Sequence, residues 1–137
     1  MNPSSNQSLR ELQAQIKAFL QARSWYPLRP SDIAKSVSIE SAELLEHFQW
    51  ADHTPNQIKK DPAKLADIKK EIADVIIYAI EMGIMLDFDV NDAIQEKIAH
   101  NGKKYPAELF AKLKGKKKGT EEIYKKIKRE YRAKANS

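Results

Sequence analysis

The stretch Asp61–Met82, DPAKLADIKKEIADVIIYAIEM, decides the fold class. A capping aspartate followed by proline at the first helical position marks a helix start, because the amide that proline lacks would have no intrahelical partner there. Leu65, Ile68, Ile72, Val75, Ile76, Ala79 and Ile80 then recur at three- and four-residue spacing, the period of a helix with one apolar side, and are the residues the helix is expected to bury. No further proline occurs until residue 106. The spacing predicts a helix from Pro62 to a turn around Leu86-Asp87-Phe88-Asp89.

The flanking segments read the same way. Ser8-Leu9-Arg10-Glu11 fits a capping box, and Leu9, Leu12, Ile16, Phe19 and Leu20 continue it as a helix over about 8–23. Trp25-Tyr26-Pro27-Leu28-Arg29-Pro30 is extended or turning, since each proline removes a donor and restricts its predecessor. Ser31 is the expected N-cap of a second helix that carries Ile33, Val37, Ser41, Leu44 and Phe48 on one stripe and ends near Trp50. Residues 51–60 read as a loop. Beyond the turn at 86–89, a further helix over about 90–104 is closed by Gly102 and Tyr105-Pro106. Gly115–Gly119 reads as a flexible charged linker, and Ile123, Ile127 and Tyr131 as the thin stripe of a short helix that needs a partner.

No segment alternates apolar and polar residues as a half-buried strand does, no solenoid repeat appears, and glycine, the main turn residue, occurs only four times in 137 residues. The expected fold is all-α: a four-helix bundle over residues 1–110, with a basic linker and short helical appendage over 111–137. The absence of cysteine excludes disulfides, zinc-thiolate and iron–sulfur sites and cysteine nucleophiles. Without an apolar signal core at the N-terminus, or any run near the roughly 20 apolar residues that span a bilayer, the expected location is cytoplasmic, with no membrane partner. The net charge of +5 is unevenly spread: residues 1–110 hold 13 Lys/Arg against 16 Asp/Glu, and residues 111–137 hold 11 against 3.

Carboxylates concentrate beside the apolar stripes. Glu40 and Glu43 lie three apart on the second helix, in line with His47 and Trp50, and Glu71 and Asp74 repeat that spacing on the third, in line with Asp67, Tyr78 and Glu81. Two antiparallel helices packed through their apolar sides can bring both pairs into one small volume. Like charges so placed repel, and hard oxygen donors without cysteine or paired histidines favour Mg²⁺ or Mn²⁺. Two readings stand at this point: solvated helix faces, or a divalent-cation site. On the fourth helix Lys97, Asn101 and Lys104 form a donor face suited to phosphate oxygens.

Together these motifs carry a resemblance. Glu40-Ser41-Ala42-Glu43, 27 intervening residues and Glu71-Ile72-Ala73-Asp74 resemble the E-x-x-E…E-x-x-D signature of the all-α nucleoside triphosphate pyrophosphohydrolases, the MazG-like superfamily. Glu43-Leu44-Leu45-Glu46-His47-Phe48-Gln49-Trp50 resembles that family's E-L-x-E-x-F-Q-W run, and Lys97 to Pro106 its K-x-x-x-N-x-x-K-Y-P. The resemblance covers roughly residues 9–106 and, through Trp25 and Trp50, is greatest to the dCTP pyrophosphatase branch. Arg29-Pro30-Ser31-Asp32 departs from the histidine or phenylalanine and Pro-Arg that many relatives place before the second helix.

The resemblance implies a nucleotide diphosphatase that cleaves a (d)NTP, dCTP or a related pyrimidine nucleotide, between the α and β phosphates to the monophosphate and pyrophosphate. It implies Glu40, Glu43, Glu71 and Asp74 as catalytic and magnesium-holding residues, with Mn²⁺ as a possible substitute. The expected substrate contacts are Trp25, Trp50, Tyr78, Lys97, Asn101, Lys104 and Tyr105, with the tryptophans stacking on the base. Trp25 and Tyr78 also suit simple core packing. Glu46, Asp67 and Glu81 are expected to solvate or neighbour the site.

The family works as dimers or dimers of dimers, so a homodimer or homotetramer is expected, and the apolar residues on more than one side of the third helix agree. The alternative is a helical nucleic-acid or partner-binding module built on the basic tail, where Lys116, Lys117 and Lys118 lie in a row and Tyr124 and Tyr131 are interleaved.

Overall fold

The computed structural model describes residues 7–111, 113 and 117–135. It is all-α: α1 (Leu9–Ala22), α2 (Pro30–Glu46), α3 (Pro55–Lys59), α4 (Pro62–Met85), α5 (Val90–Lys104), α6 (Ala107–Ala111) and α7 (Lys117–Ala135), with no strand among the described residues. No described helix is long and apolar enough to cross a membrane. The chain divides between Asn91 and Asp92 into two compact units.

In the first unit, local chemistry fixes the helix ends. Ser8 and Glu11 form the expected capping box, with the Ser8 amide donating to Glu11 Oε2 at 2.6 Å and the Ser8 hydroxyl accepting from the Glu11 amide at 3.3 Å. Asp61 Oδ1 accepts from the Lys64 amide at 3.0 Å, with Pro62 in the first helical turn. Helix α2 starts one residue before the expected Ser31 cap. Pro30 occupies the first turn, its fixed φ already helical, and Arg29 is the N-cap without a side-chain bond.

The second helix also stops at Glu46, short of Trp50. Lys64 Nζ donates to the His47 carbonyl at 2.7 Å, so a cation from α4 satisfies a carbonyl that continued helix would have used. Residues 51–60 are not all loop: Thr54 and Gln57 form a second capping box that starts the five-residue α3.

Helix α4 packs most extensively on α2 and next on α1. Among the described residues the buried apolar side chains are Leu20, Ile33, Ile68, Ile80 and Ile84, one each from α1 and α2 and three from α4. Each such burial contributes about 1.5–3 kcal/mol. Ile72 and Ile76, expected in the buried stripe, instead face away from α2 and α1 and are exposed. At the end of α4 the chain turns back tightly. A Cβ on Gly83 would run into Val90 Cγ2 and come within 3.2 Å of the Phe88 carbonyl, so only glycine lets the turn close there. Gln13 of α1 holds that turn, its Nε2 donating to the Phe88 carbonyl at 2.9 Å and its Oε1 accepting from the Val90 amide at 3.1 Å. The connection between α1 and α2 is anchored by the Leu28 amide, 3.2 Å from Met85 Sδ.

The second unit contains nearly all of α5, with α6 and α7. Gly102 lies within α5, which runs on to Lys104. The Tyr105 and Tyr124 rings stack at 5.3 Å, His100 meets Tyr131 edge-on at 5.7 Å, and Lys104 Nζ lies 4.6 Å from the Tyr131 ring centre. The expected short helix is 19 residues long and begins at Lys117, inside the expected linker; Gly115 and Lys116 lie outside the described residues. These aromatic contacts are the partner that the thin stripe of α7 requires.

Candidate metal centre and adjoining cavity

The packing of α2 on α4 brings carboxylates from both helices together. One oxygen from each of Glu40, Glu43 and Glu71 lies within 4.8 Å of the others. Partial burial, and after it the charges of Glu43, Asp74 and Glu71, push the Glu40 carboxyl above its ordinary range. Asp74 therefore lies within electrostatic reach of the trio.

Asp67, one turn before Glu71, differs. Its Oδ1 accepts from Lys70 Nζ at 2.9 Å, and that bond holds its carboxyl below the usual value. A trio of hard oxygens that raises the proton affinity of its own member is one that a divalent cation would relieve, and the donor set suits Mg²⁺ or Mn²⁺.

Beside the trio is a cavity of about 250 Å³ lined by Leu20, Trp25, Leu28, Asp32, Ile33, Ser36, Tyr78 and Glu81. Ser36 stands one turn before Glu40 on α2, and Tyr78 one turn after Asp74 on α4, so cavity and carboxylates share the same helix pair, about 6 Å apart along each axis. Trp25 is held edge-on against Phe19, their ring centres 6.0 Å apart.

Trp50 is placed otherwise. Since α2 ends at Glu46, Trp50 leaves the acidic stripe and stands 88% exposed, outside the Trp25 cavity. Lys97, Asn101 and Lys104 share α5 in the second unit, with Tyr105 just past its end. There Lys104 lies over the Tyr105 and Tyr131 rings, and partial burial followed by the Tyr124 hydroxyl pushes the Tyr105 phenol up.

Glu81 is the residue whose setting the sequence hides. Its place on the acidic stripe suggested a solvated group, yet it is only 6% exposed, and its Oε2 has no hydrogen-bond partner among the described residues. The available signal was its position between Ile80 and Ile84, both of which are core residues.

The MazG-like family matches residues 35–131. The dCTP pyrophosphatase 1 of Homo sapiens is 30% identical over 105 residues, which are 75% of this chain and 60% of that protein; that of Bos taurus is 27% identical over 108 residues, 77% and 64%. The chain thus spans less than two thirds of the length of these relatives. A pyrophosphatase of known structure from Archaeoglobus fulgidus superposes with a TM-score of 0.63 at 30% identity, covering 77% of this chain and 99% of that one. With the family match extending over more than half its length, through both acidic pairs and the Trp50 run, the chain belongs to the MazG-like family.

Proposed function

We propose that the protein is a Mg²⁺-dependent nucleoside triphosphate pyrophosphohydrolase, acting on dCTP or a related pyrimidine deoxynucleotide to give the monophosphate and pyrophosphate. The observation that carries this reading is the convergence of Glu40, Glu43 and Glu71, with Asp74 beside them, next to a cavity walled by an aromatic ring. The names of the relatives support the reaction class and the pyrimidine.

In this reading the four carboxylates hold the cation. When bound, magnesium supplies charge neutralisation on phosphate oxygens and lowers the pKa of a coordinated water. The carboxylates fix the place at which the triphosphate is held, and Trp25 offers the base a face to stack on in the cavity that Tyr78 also lines. Lys97, Asn101, Lys104 and Tyr105 are proposed as phosphate and sugar contacts, and Trp50 as a second stacking surface. No protein nucleophile is required. The test is incubation with each dNTP and Mg²⁺, resolving the products. Monophosphate and pyrophosphate are expected, and loss of both in Glu71→Gln with helical content kept; no release from any nucleotide would overturn the reading.

The protein is further proposed to form a homodimer or homotetramer. Ile39 and Leu45 of α2 and Ile72 and Ile76 of α4 are 55%, 67%, 42% and 49% exposed, an unusual outlay of large apolar side chains next to the acidic trio.

A second reading rests on α7, where Lys125, Lys128, Arg129 and Arg132 line one recess. Such a basic face suits a nucleic-acid backbone. Tyr124 and Tyr131 are engaged with Tyr105, His100 and Lys104, so base stacking does not support it. Retention on DNA or RNA that falls steeply with salt, and disappears without residues 112–137, is its test.

A further inference from the structure

Lys104 is held in a way uncommon for a lysine. Its side chain is half-buried at the end of α5, yet among the described residues it has no carboxylate partner and donates to no protein acceptor. Aromatic faces hold it instead: Nζ lies 4.6 Å from the Tyr131 ring centre and 5.4 Å from that of Tyr105. A ring face orients an ammonium electrostatically without neutralising it or satisfying its three N–H donors as an oxygen would. The outcome is a placed positive charge still in need of an acceptor.

The rings are themselves fixed. Tyr131 meets His100 edge-on at 5.7 Å, and His100 and Lys104 stand four residues apart on α5, so one face of that helix seats the ring that α7 supplies. Tyr105 stacks on Tyr124 with ring centres 5.3 Å apart, and Lys128 Nζ stands 5.6 Å from the Tyr124 ring centre. Lys97 and Lys128, like Lys104, have no carboxylate partner among the described residues. Uncompensated cations gathered in this way suit an anion.

We propose that Tyr131 is a positioning residue whose ring holds the Lys104 ammonium ready for the phosphate oxygens of a bound triphosphate. The inference rests on the nucleotide reading above, in which Lys104 contacts phosphate. A lysine free in solvent loses rotamer freedom when a phosphate captures it; one already ordered by rings loses less, and the phosphate binds more tightly. A ring that competed with phosphate for the ammonium would act in the opposite direction, so the sign of the effect separates the two. The contact is through the ring face and not the hydroxyl. Phenylalanine therefore keeps it, whereas leucine keeps apolar bulk and loses it.

The experiment is a double-mutant cycle on the full chain. It is read by calorimetric binding of inorganic triphosphate without metal and by steady-state kinetics with dCTP and Mg²⁺. Tyr131→Leu should weaken triphosphate binding about 3- to 30-fold, the range of cation–π contacts, and raise KM by a similar factor with kcat held. Tyr131→Phe should restore both values to within about twofold of the wild type. Lys104→Met should weaken binding at least as much as Tyr131→Leu, and in that background Tyr131→Leu should add nothing, because the ring acts only through the ammonium. If Tyr131→Leu does not fold, a fluorinated phenylalanine at position 131, close in shape but with a less negative face, should weaken binding relative to Tyr131→Phe.

Unchanged or tighter binding in Tyr131→Leu, the same loss in the Lys104→Met background as in the wild type, or no triphosphate binding by the wild type would overturn the proposal. The expected binding pattern in a protein that hydrolyses no nucleotide would overturn the reaction and leave the positioning of Lys104 standing.

Discussion

Glu81 and the Glu40 trio set two carboxyl problems within the same helix pair, and they call for different solutions. The trio is a mutual repulsion that a cation removes, whereas Glu81 lacks a donor. Added Mg²⁺ should therefore stabilise the folded chain. At a hundredfold excess over the dissociation constant the gain is about 2.7 kcal/mol, read as a rise in Tm that is absent in Glu71→Gln.

For Glu81, burial raises the folded-state pKa above the unfolded one, so folding favours the protonated acid. Its contribution to stability is fully present below the ordinary glutamate value and is lost as pH rises through the raised one. Glu81→Leu should thus melt higher than the wild type at pH 7, by about 1 kcal/mol or more and a few degrees, with the advantage shrinking toward pH 4. Thermal melts of both proteins at the two pH values check the sign.

At the scale of elements, helix starts were legible wherever a side chain or proline does the capping locally. Ser8 with Glu11 and Asp61 with Pro62 can be read from four residues of sequence, and both stand as expected. The Thr54–Gln57 box that starts α3 was equally local, but the absence of an apolar run after it hid the helix. The end of α2 was legible only in part: the Leu45 and Glu46 carbonyls are taken by the local Phe48 and Gln49 amides, but the His47 carbonyl, just past the helix, is met by Lys64, seventeen residues away. Trp50 lies beyond these turns and so leaves the acidic stripe.

The turn after α4 shows the same division. A turn was readable at 86–89, but its closeness to Gly83 was not. Alanine at Gly83 would gain about 1 kcal/mol in helix propensity. Against this, the new Cβ meets Val90 and the Phe88 carbonyl, which Gln13 and the Gly83 backbone hold in place. Overpacking of this kind costs about 1–3 kcal/mol, so Gly83→Ala should lower the denaturant midpoint without changing the m-value.

At the scale of the whole molecule, the acidic pairs were legible because each is a three-residue spacing on one helix, and their convergence needed only that α2 and α4 pack together. The isolation of Glu81 in an apolar wall was not legible, since it depends on what α1 and the Trp25 segment bring across from elsewhere in the chain. The exposed apolar side chains of the first unit lead to the remaining expectation. Ile39, Leu45, Ile72 and Ile76 cannot lie in the core that Leu20, Ile33, Ile68, Ile80 and Ile84 already form. At about 25 cal/mol for each Å² removed from water, covering them with the same faces of a second copy is a substantial drive to associate. Sedimentation at micromolar concentration should return twice or four times the chain mass. Leu45→Lys should return the single-chain mass with helical content kept, because Leu45 is the most exposed of the four and lies outside the core. If the wild type sediments as a single chain throughout the micromolar range, the apolar face is not a self-association surface, and the nucleotide site must be complete within one chain.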